Sequence, residues 1–218
     1  MIFDLDGVIV DSEIWWDEVR HAFAAAHGRS WTTDDRAAVM GANSAAWSRT
    51  MRERLGLDMP AADIERAIVD GVVERFGRDG APDIPGAVEA VRRIAADRPV
   101  AIASSAHRSV IDAALAATGL GTTFPVIVSS DEVEHGKPAP DVYLAAAHRL
   151  DVDPASCLVV EDSFNGVRAA KAAGMTVVLV PNHSIPPAPG TAELADRVLD
   201  RLADLDPDGV APAAGTDG

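Results

Sequence analysis

The chain has 218 residues, 48% hydrophobic and 24% charged, and 34 acidic against 19 basic side chains leave a formal charge of −15. Such a field disfavours DNA, RNA and anionic membranes as partners, since lysine and arginine drive binding to all three. No apolar run approaches a membrane span, Cys157 has no second cysteine to pair with, and MIFDLDG opens without a basic or apolar signal segment. A monomeric protein of the reducing cytoplasm is expected.

Taken in chain order, residues 2–3 begin a series of short, apolar, β-branched runs that continues at 100–103, 126–128, 158–160 and 177–180. Runs apolar on both faces predict buried parallel strands. Asp4 and Asp6 follow the first run at i and i+2, so extended backbone would send both carboxylates off one face. A strand-to-turn junction explains Asp-Gly here equally well.

Residues 12–80 show helical periodicity and no strand. Trp15, Val19, Phe23 and Ala26 share one stripe; Ile64, Ile68, Val72 and Phe76 share another. This predicts an all-helical insertion, with Trp15, Trp16, Trp31 and Trp47 packing its core and Arg49, Arg52 and Arg54 on a solvated face. Val88, Val91, Ile94 and Ala95 mark a further helix. Ser104 ends the second run, either as a helix cap or as a ligand group. Lys137 lies in the loop HGKPAP beside His135, which has no metal-ligand spacing around it. Glu161 and Asp162 follow the fourth run, where one acidic residue would be an ordinary cap. Proline-rich residues 181–190 suggest a surface loop, and residues 205–218 a disordered tail.

Alternating strands and helices predict an α/β protein: a Rossmann-like three-layer core of parallel sheet from residues 1–11 and 81–204, with a helical cap at 12–80. Three strands then deliver polar groups at their carboxyl ends, where open α/β sheets form their ligand crevice. Four carboxylates, a hydroxyl and a lysine there suit magnesium and a phosphate.

FDLDGVIVDSE, AIASS, HGKPAP and VVEDSFNGVRAAKAAGM stand in the order of the four motifs of the haloacid dehalogenase superfamily. Over about residues 1–204 the chain resembles its branch of sugar phosphatases and beta-phosphoglucomutase-like enzymes. The resemblance implies that Asp4 is the nucleophile and Asp6 the general acid and base. It implies that Ser104 and Lys137 bind phosphate, and that Asp4, the backbone carbonyl of Asp6, Glu161 and Asp162 hold Mg2+. An acidic Asp6 favours phosphate esters over organohalides. Only three residues precede Asp4, fewer than usual in the family, which points to a start set too far downstream.

In related enzymes a cap loop closes over the leaving group. Here that loop is MGANSA, residues 40–45, which makes Gly41, Asn43 and Ser44 candidate substrate contacts, with Ser105, His107 and Asn165 from the core. The loop has no basic residue for a second phosphate, and the next arginine downstream is Arg49. A phosphatase of small phosphorylated metabolites is therefore favoured over a hexose phosphomutase. A catalytically inert binding module is the reading from a different class.

Overall fold

Side-chain alternation along each strand decides how the sheet is covered. A computed structural model describes residues 1–40 and 42–210. Among them, β1 (Ile2–Phe3), β2 (Ala101–Ser104), β3 (Val126–Ser129), β4 (Leu158–Glu161), β5 (Thr176–Leu179) and β6 (Arg197–Val198) form one parallel sheet. Its order is β3-β2-β1-β4-β5-β6. Between β1 and β2 come α1 (Glu13–Ala26), α2 (Thr33–Val39), α3 (Ser44–Leu55), α4 (Ala61–Asp79) and α5 (Ala87–Asp97). Then α6 (Arg108–Ala117) follows β2, α7 (Asp141–Arg149) follows β3, α8 (Phe164–Ala172) follows β4, and α9 (Thr191–Leu194) follows β5.

Phe3, Ile102, Val160 and Val178 pack on one face of the sheet with Val91, Ile94, Val110 and Ile111 of α5 and α6. Their strand neighbours Ile2, Ala101, Val159 and Val177 pack on the other with Val142, Tyr143, Val167 and Ala170 of α7 and α8. Period two thus splits each strand between two apolar layers. The result is the three-layer, Rossmann-like α/β fold the sequence predicts. The expected strands lie within a residue or so of their observed bounds, and β6 is an addition: two exposed residues at the sheet edge.

The helical stretch after β1 has local causes. Thr32 and Asp35 form a reciprocal capping box on α2, and Asn43 caps α3 by accepting from the Ala46 N–H. Ile64, Ile68, Val72 and Phe76 are all buried along α4. Trp15 and Phe76 meet edge to face at 5.1 Å, so the stripe expected on α1 does pack on α4. It is only half-buried, however, and Ala26 is exposed. The deeply buried face of α1 is Trp16, Arg20 and Ala24.

The helical excursion leaves and rejoins the sheet at neighbouring points. The Asp11 N–H donates to the Pro82 carbonyl at 2.8 Å, and Val10 bridges Asp83. The disordered tail expected from residue 205 is corrected as far as 210. Leu205 is buried, Arg93 donates to its carbonyl at 3.0 Å, and Arg98 pairs with Asp208. The remainder of that stretch, 211–218, lies outside the described residues.

Candidate active site

Strands β2, β1 and β4 are adjacent, so Ser104, Asp4 and the Glu161-Asp162 pair arrive together at their carboxyl ends. This is where the strand order reverses, the usual place for a ligand crevice. Lys137, in the loop before α7, reaches into the same point. Its Nζ donates to Asp4 Oδ1 at 2.6 Å, to Glu161 Oε1 at 2.7 Å and to the Ala103 carbonyl at 3.1 Å. Burial alone would strip its proton; the carboxylates of Asp4 and Glu161 instead hold it charged, well above the usual lysine range.

Glu161 is fully buried and fully engaged. Tyr143 Oη donates to Oε1 at 2.7 Å, while Oε2 accepts from the N–H groups of Asp162 and Ser163, each at 2.9 Å, and from Ser163 Oγ at 3.0 Å. A Cβ on Gly166 would overlap this carboxylate, so the first turn of α8 needs glycine to come so close. Burial pushes Glu161 up, but Lys137 and these donors outweigh it and keep the carboxylate ionised. Its lone pairs are occupied, which fits a residue that fixes Lys137 more than the metal-ligand role implied by resemblance.

Asp4 and Asp162 keep lone pairs to spare. With Glu161 they bring carboxylate oxygens within 4.8 Å of one another. Burial raises Asp4 to about 7 against the pull of Lys137, and burial followed by repulsion from Glu161 and Asp4 puts Asp162 well above the carboxylate range. Hard oxygen donors held together at this electrostatic penalty fit a divalent cation. Gly7, at a φ of 83°, turns the chain back after Asp6, and a Cβ there would overlap the Asp162 carboxylate. Asp6 accepts a short hydrogen bond from the Ser12 hydroxyl. Burial, and then the charge of Glu13, raise it to about 8.

These groups line a cavity of about 350 Å³. Ser104, Ser105, Lys137 and Asn165 stand on its core wall, as the sequence anticipated. On the cap wall Met40 and Ala42 belong to the anticipated stretch 40–45, whereas Glu13, Trp16, Arg20, Val39 and Trp47 were not anticipated. Ile185 to Ala188, in the mostly exposed loop the sequence suggested, close a third side; Asn182 and Ser184 anchor that loop on the Asp11 carboxylate. Trp16 and Trp47 are core residues, 6.1 Å apart edge to face, yet they also form cavity wall.

Three expected substrate contacts are placed elsewhere. Asn43 is spent on its helix cap. Ser44 donates through both its N–H and its hydroxyl to Asp131, at 3.1 and 2.7 Å, docking α3 on the core. His107 caps α6, accepting from the Ser109 N–H, and stands beside Glu65 and Asp131 away from the cavity. Gly41 lies outside the described residues. Polar residues before a helix satisfy its free N–H groups first, which is why Asn43 and His107 were ambiguous, whereas Ser44 is taken up by Asp131. Glu13, Trp16 and Arg20 carried a signal that hydropathy missed: at i, i+3 and i+7 they share one helical face directly after the first motif.

The chain is 32% identical over 207 residues to the bifunctional riboflavin kinase/FMN phosphatase of Arabidopsis thaliana, covering 94% of this chain but 54% of that longer protein. It is 30% identical over 178 residues to the fructose-1-phosphate phosphatase YqaB of Escherichia coli, covering 82% of this chain and 94% of that one. The crystal structure of CbbY from Rhodobacter sphaeroides, in complex with phosphate, superposes with a TM-score of 0.77 at 28% identity over 94% of each chain. The family model for haloacid dehalogenase-like hydrolases matches residues 1–174. With that match spread across β1, β2 and β4 and the groups at their ends, the chain belongs to the haloacid dehalogenase-like hydrolases.

Proposed function

We propose that this hydrolase is a magnesium-dependent phosphatase of small phosphorylated metabolites, sugar phosphates foremost. The observation that carries the reading is one juxtaposition: a carboxylate, Asp4, held at 2.6 Å by a charged lysine, beside a second carboxyl, Asp6, raised to about 8. The named relatives, which act on FMN and on fructose 1-phosphate, support phosphate esters as the substrate class.

In this mechanism an Asp4 oxygen attacks phosphorus and the bond to the leaving oxygen breaks. Asp6, protonated at neutral pH, gives that oxygen its proton. The ionised Asp6 then takes a proton from water as that water attacks the aspartyl-phosphate, releasing inorganic phosphate and restoring Asp4. Lys137 and the Ser104 hydroxyl hold the non-bridging oxygens. Asp4 and Asp162, with the Asp6 carbonyl, would hold Mg2+, with Glu161 alongside. When bound, the ion offsets repulsion between the nucleophile and the phosphate dianion.

The test is phosphate release from para-nitrophenyl phosphate and a panel of phosphorylated metabolites, with and without magnesium chloride. Folded Asp4→Asn should fall to background, because an amide cannot form the acyl-phosphate. Wild-type-like turnover in that variant overturns the nucleophile assignment, and no release by wild type from any ester favours a binding module. The mutase reading regains support from one observation: Arg20 gives the cap the positive charge that residues 40–45 lack. Beta-glucose 1-phosphate with a trace of glucose 1,6-bisphosphate separates the two, since a mutase makes glucose 6-phosphate faster than inorganic phosphate. Action without nucleic-acid or anionic-membrane partners accords with the −15 charge.

A further inference from the structure

Among the described residues Arg20 is the one buried arginine, 6% exposed, and it stands in the cavity wall. Its guanidinium carbon lies 5.1 Å from the ring centroid of Trp16 and 5.3 Å from that of Trp47, so two aromatic faces fix its position. Its Nε is buried without a hydrogen-bond partner, and no described residue forms an ion pair with it. Several cap arginines are engaged even at the surface. Arg54 pairs with Asp35, and Arg75 with Glu18 and Asp79.

A guanidinium is a fork of five donors that cannot discharge itself by losing a proton. Leaving such a group buried and unbonded is strongly unfavourable. Nearby carboxyls explain how the charge is tolerated but do not complete it. Asp17 already accepts from Trp31 Nε1 at 2.9 Å, Asp6 accepts from Ser12, and Glu13, the charge that acts most on Arg20, makes no hydrogen bond or ion pair with it. What completes the site is an oxygen anion delivered from the cavity.

We propose that Arg20 binds an anionic group, carboxylate or phosphate, on the part of the substrate that leaves with the proton of Asp6. This rests on the phosphatase reading and narrows its substrate class. The preferred esters are small phosphomonoesters carrying a second anion, because the phosphoryl group is held by Lys137 and Ser104 on the core wall and Arg20 stands on the cap wall. A planar fork packed against two indoles carries paired N–H groups suited to two oxygens of one anion, a geometry lysine does not reproduce.

The experiment compares kcat/KM, with magnesium chloride near neutral pH, for 3-phosphoglycerate and fructose 1,6-bisphosphate against glycerol 1-phosphate and para-nitrophenyl phosphate. The wild type should favour at least one two-anion ester over both single-anion esters, and which one shows whether carboxylate or phosphate is taken. Arg20→Gln should cut that preference by about 10- to 100-fold, the worth of hydrogen bonds to a charged group. Arg20→Lys should cut it less. An equal loss on all four esters overturns the proposal, as does a wild type with no preference. Should Arg20→Gln fail to fold, an unchanged preference in Arg20→Lys overturns it alone. If the wild type cleaves none of the esters, the phosphatase reading falls and Arg20 is judged by binding. Quenching of tryptophan fluorescence by 3-phosphoglycerate or fructose 1,6-bisphosphate that is weaker in Arg20→Lys upholds it; no quenching, or equal quenching in that variant, overturns it.

Discussion

Glu161 is a single buried carboxylate whose hydrogen bonds bear on the whole candidate site. It holds Lys137 through Oε1 and is itself held by Tyr143 and by three donors at the start of α8. Glu161→Gln keeps the shape but removes the charge that fixes the ammonium beside Asp4. By analogy with partners that orient metal ligands, kcat should fall about 10- to 100-fold. Steady-state kinetics on para-nitrophenyl phosphate check this, and an unchanged kcat would contradict the positioning role. Asp4 and Asp6 carry a separate consequence for stability. Burial lifts them to about 7 and about 8, whereas the unfolded chain releases those protons near pH 4. The folded chain therefore binds more protons across that interval. The contribution is whole below about pH 4 and is lost as pH rises through about 7 to 8. With a chelator present, Tm should fall from about pH 5 to about pH 8, and an Asp6→Asn, Asp162→Asn double variant should show a shallower fall. Magnesium chloride should raise the wild-type Tm more at the alkaline end; thermal melts in both buffers decide it.

At the scale of elements, legibility followed the amount of apolar surface each segment buries. The strands read from Ile102, Val126, Val159 and Val177 were visible because both faces are covered. Arg197 and Val198 were not, since an exposed two-residue edge strand has no apolar pattern to display. Helix α4 was plain from Ile64, Ile68, Val72 and Phe76. Truncating Ile68 to Ala there should cost about 2–5 kcal/mol, measured by urea unfolding, because the residue is fully buried and its neighbours cannot collapse completely. A loss below ~1 kcal/mol would mean that the helix relaxes around the gap. On α1 the hydropathy stripe pointed at Trp15, Val19 and Phe23, which pack against α4. The face that matters to the site holds Glu13 and Arg20, and polar residues toward a cavity look the same in sequence as polar residues toward water. The four motifs were legible because their chemistry sits at strand ends. The cap contacts were not, because Asn43, Ser44 and His107 had helix N–H groups or the core residue Asp131 to satisfy first.

Across the whole molecule, no described helix is long and apolar enough to cross a membrane, and the apolar cluster on one sheet face runs on into the helices between β1 and β2. That excursion is strung between two stems, joined where the Asp11 N–H meets the Pro82 carbonyl and Val10 meets Asp83. Asp4, Asp6, Ser104, Lys137 and Asp162 all stand outside it, whereas Trp16, Arg20, Val39, Met40 and Trp47 all stand within it. The candidate catalytic groups and the cap wall of the cavity thus come from separate stretches of chain, joined at the stems and across one apolar seam. A foreign excursion of compatible stems, offering Asp131 the donors that Ser44 now provides, would graft new tastes onto an unaltered hydrolytic engine.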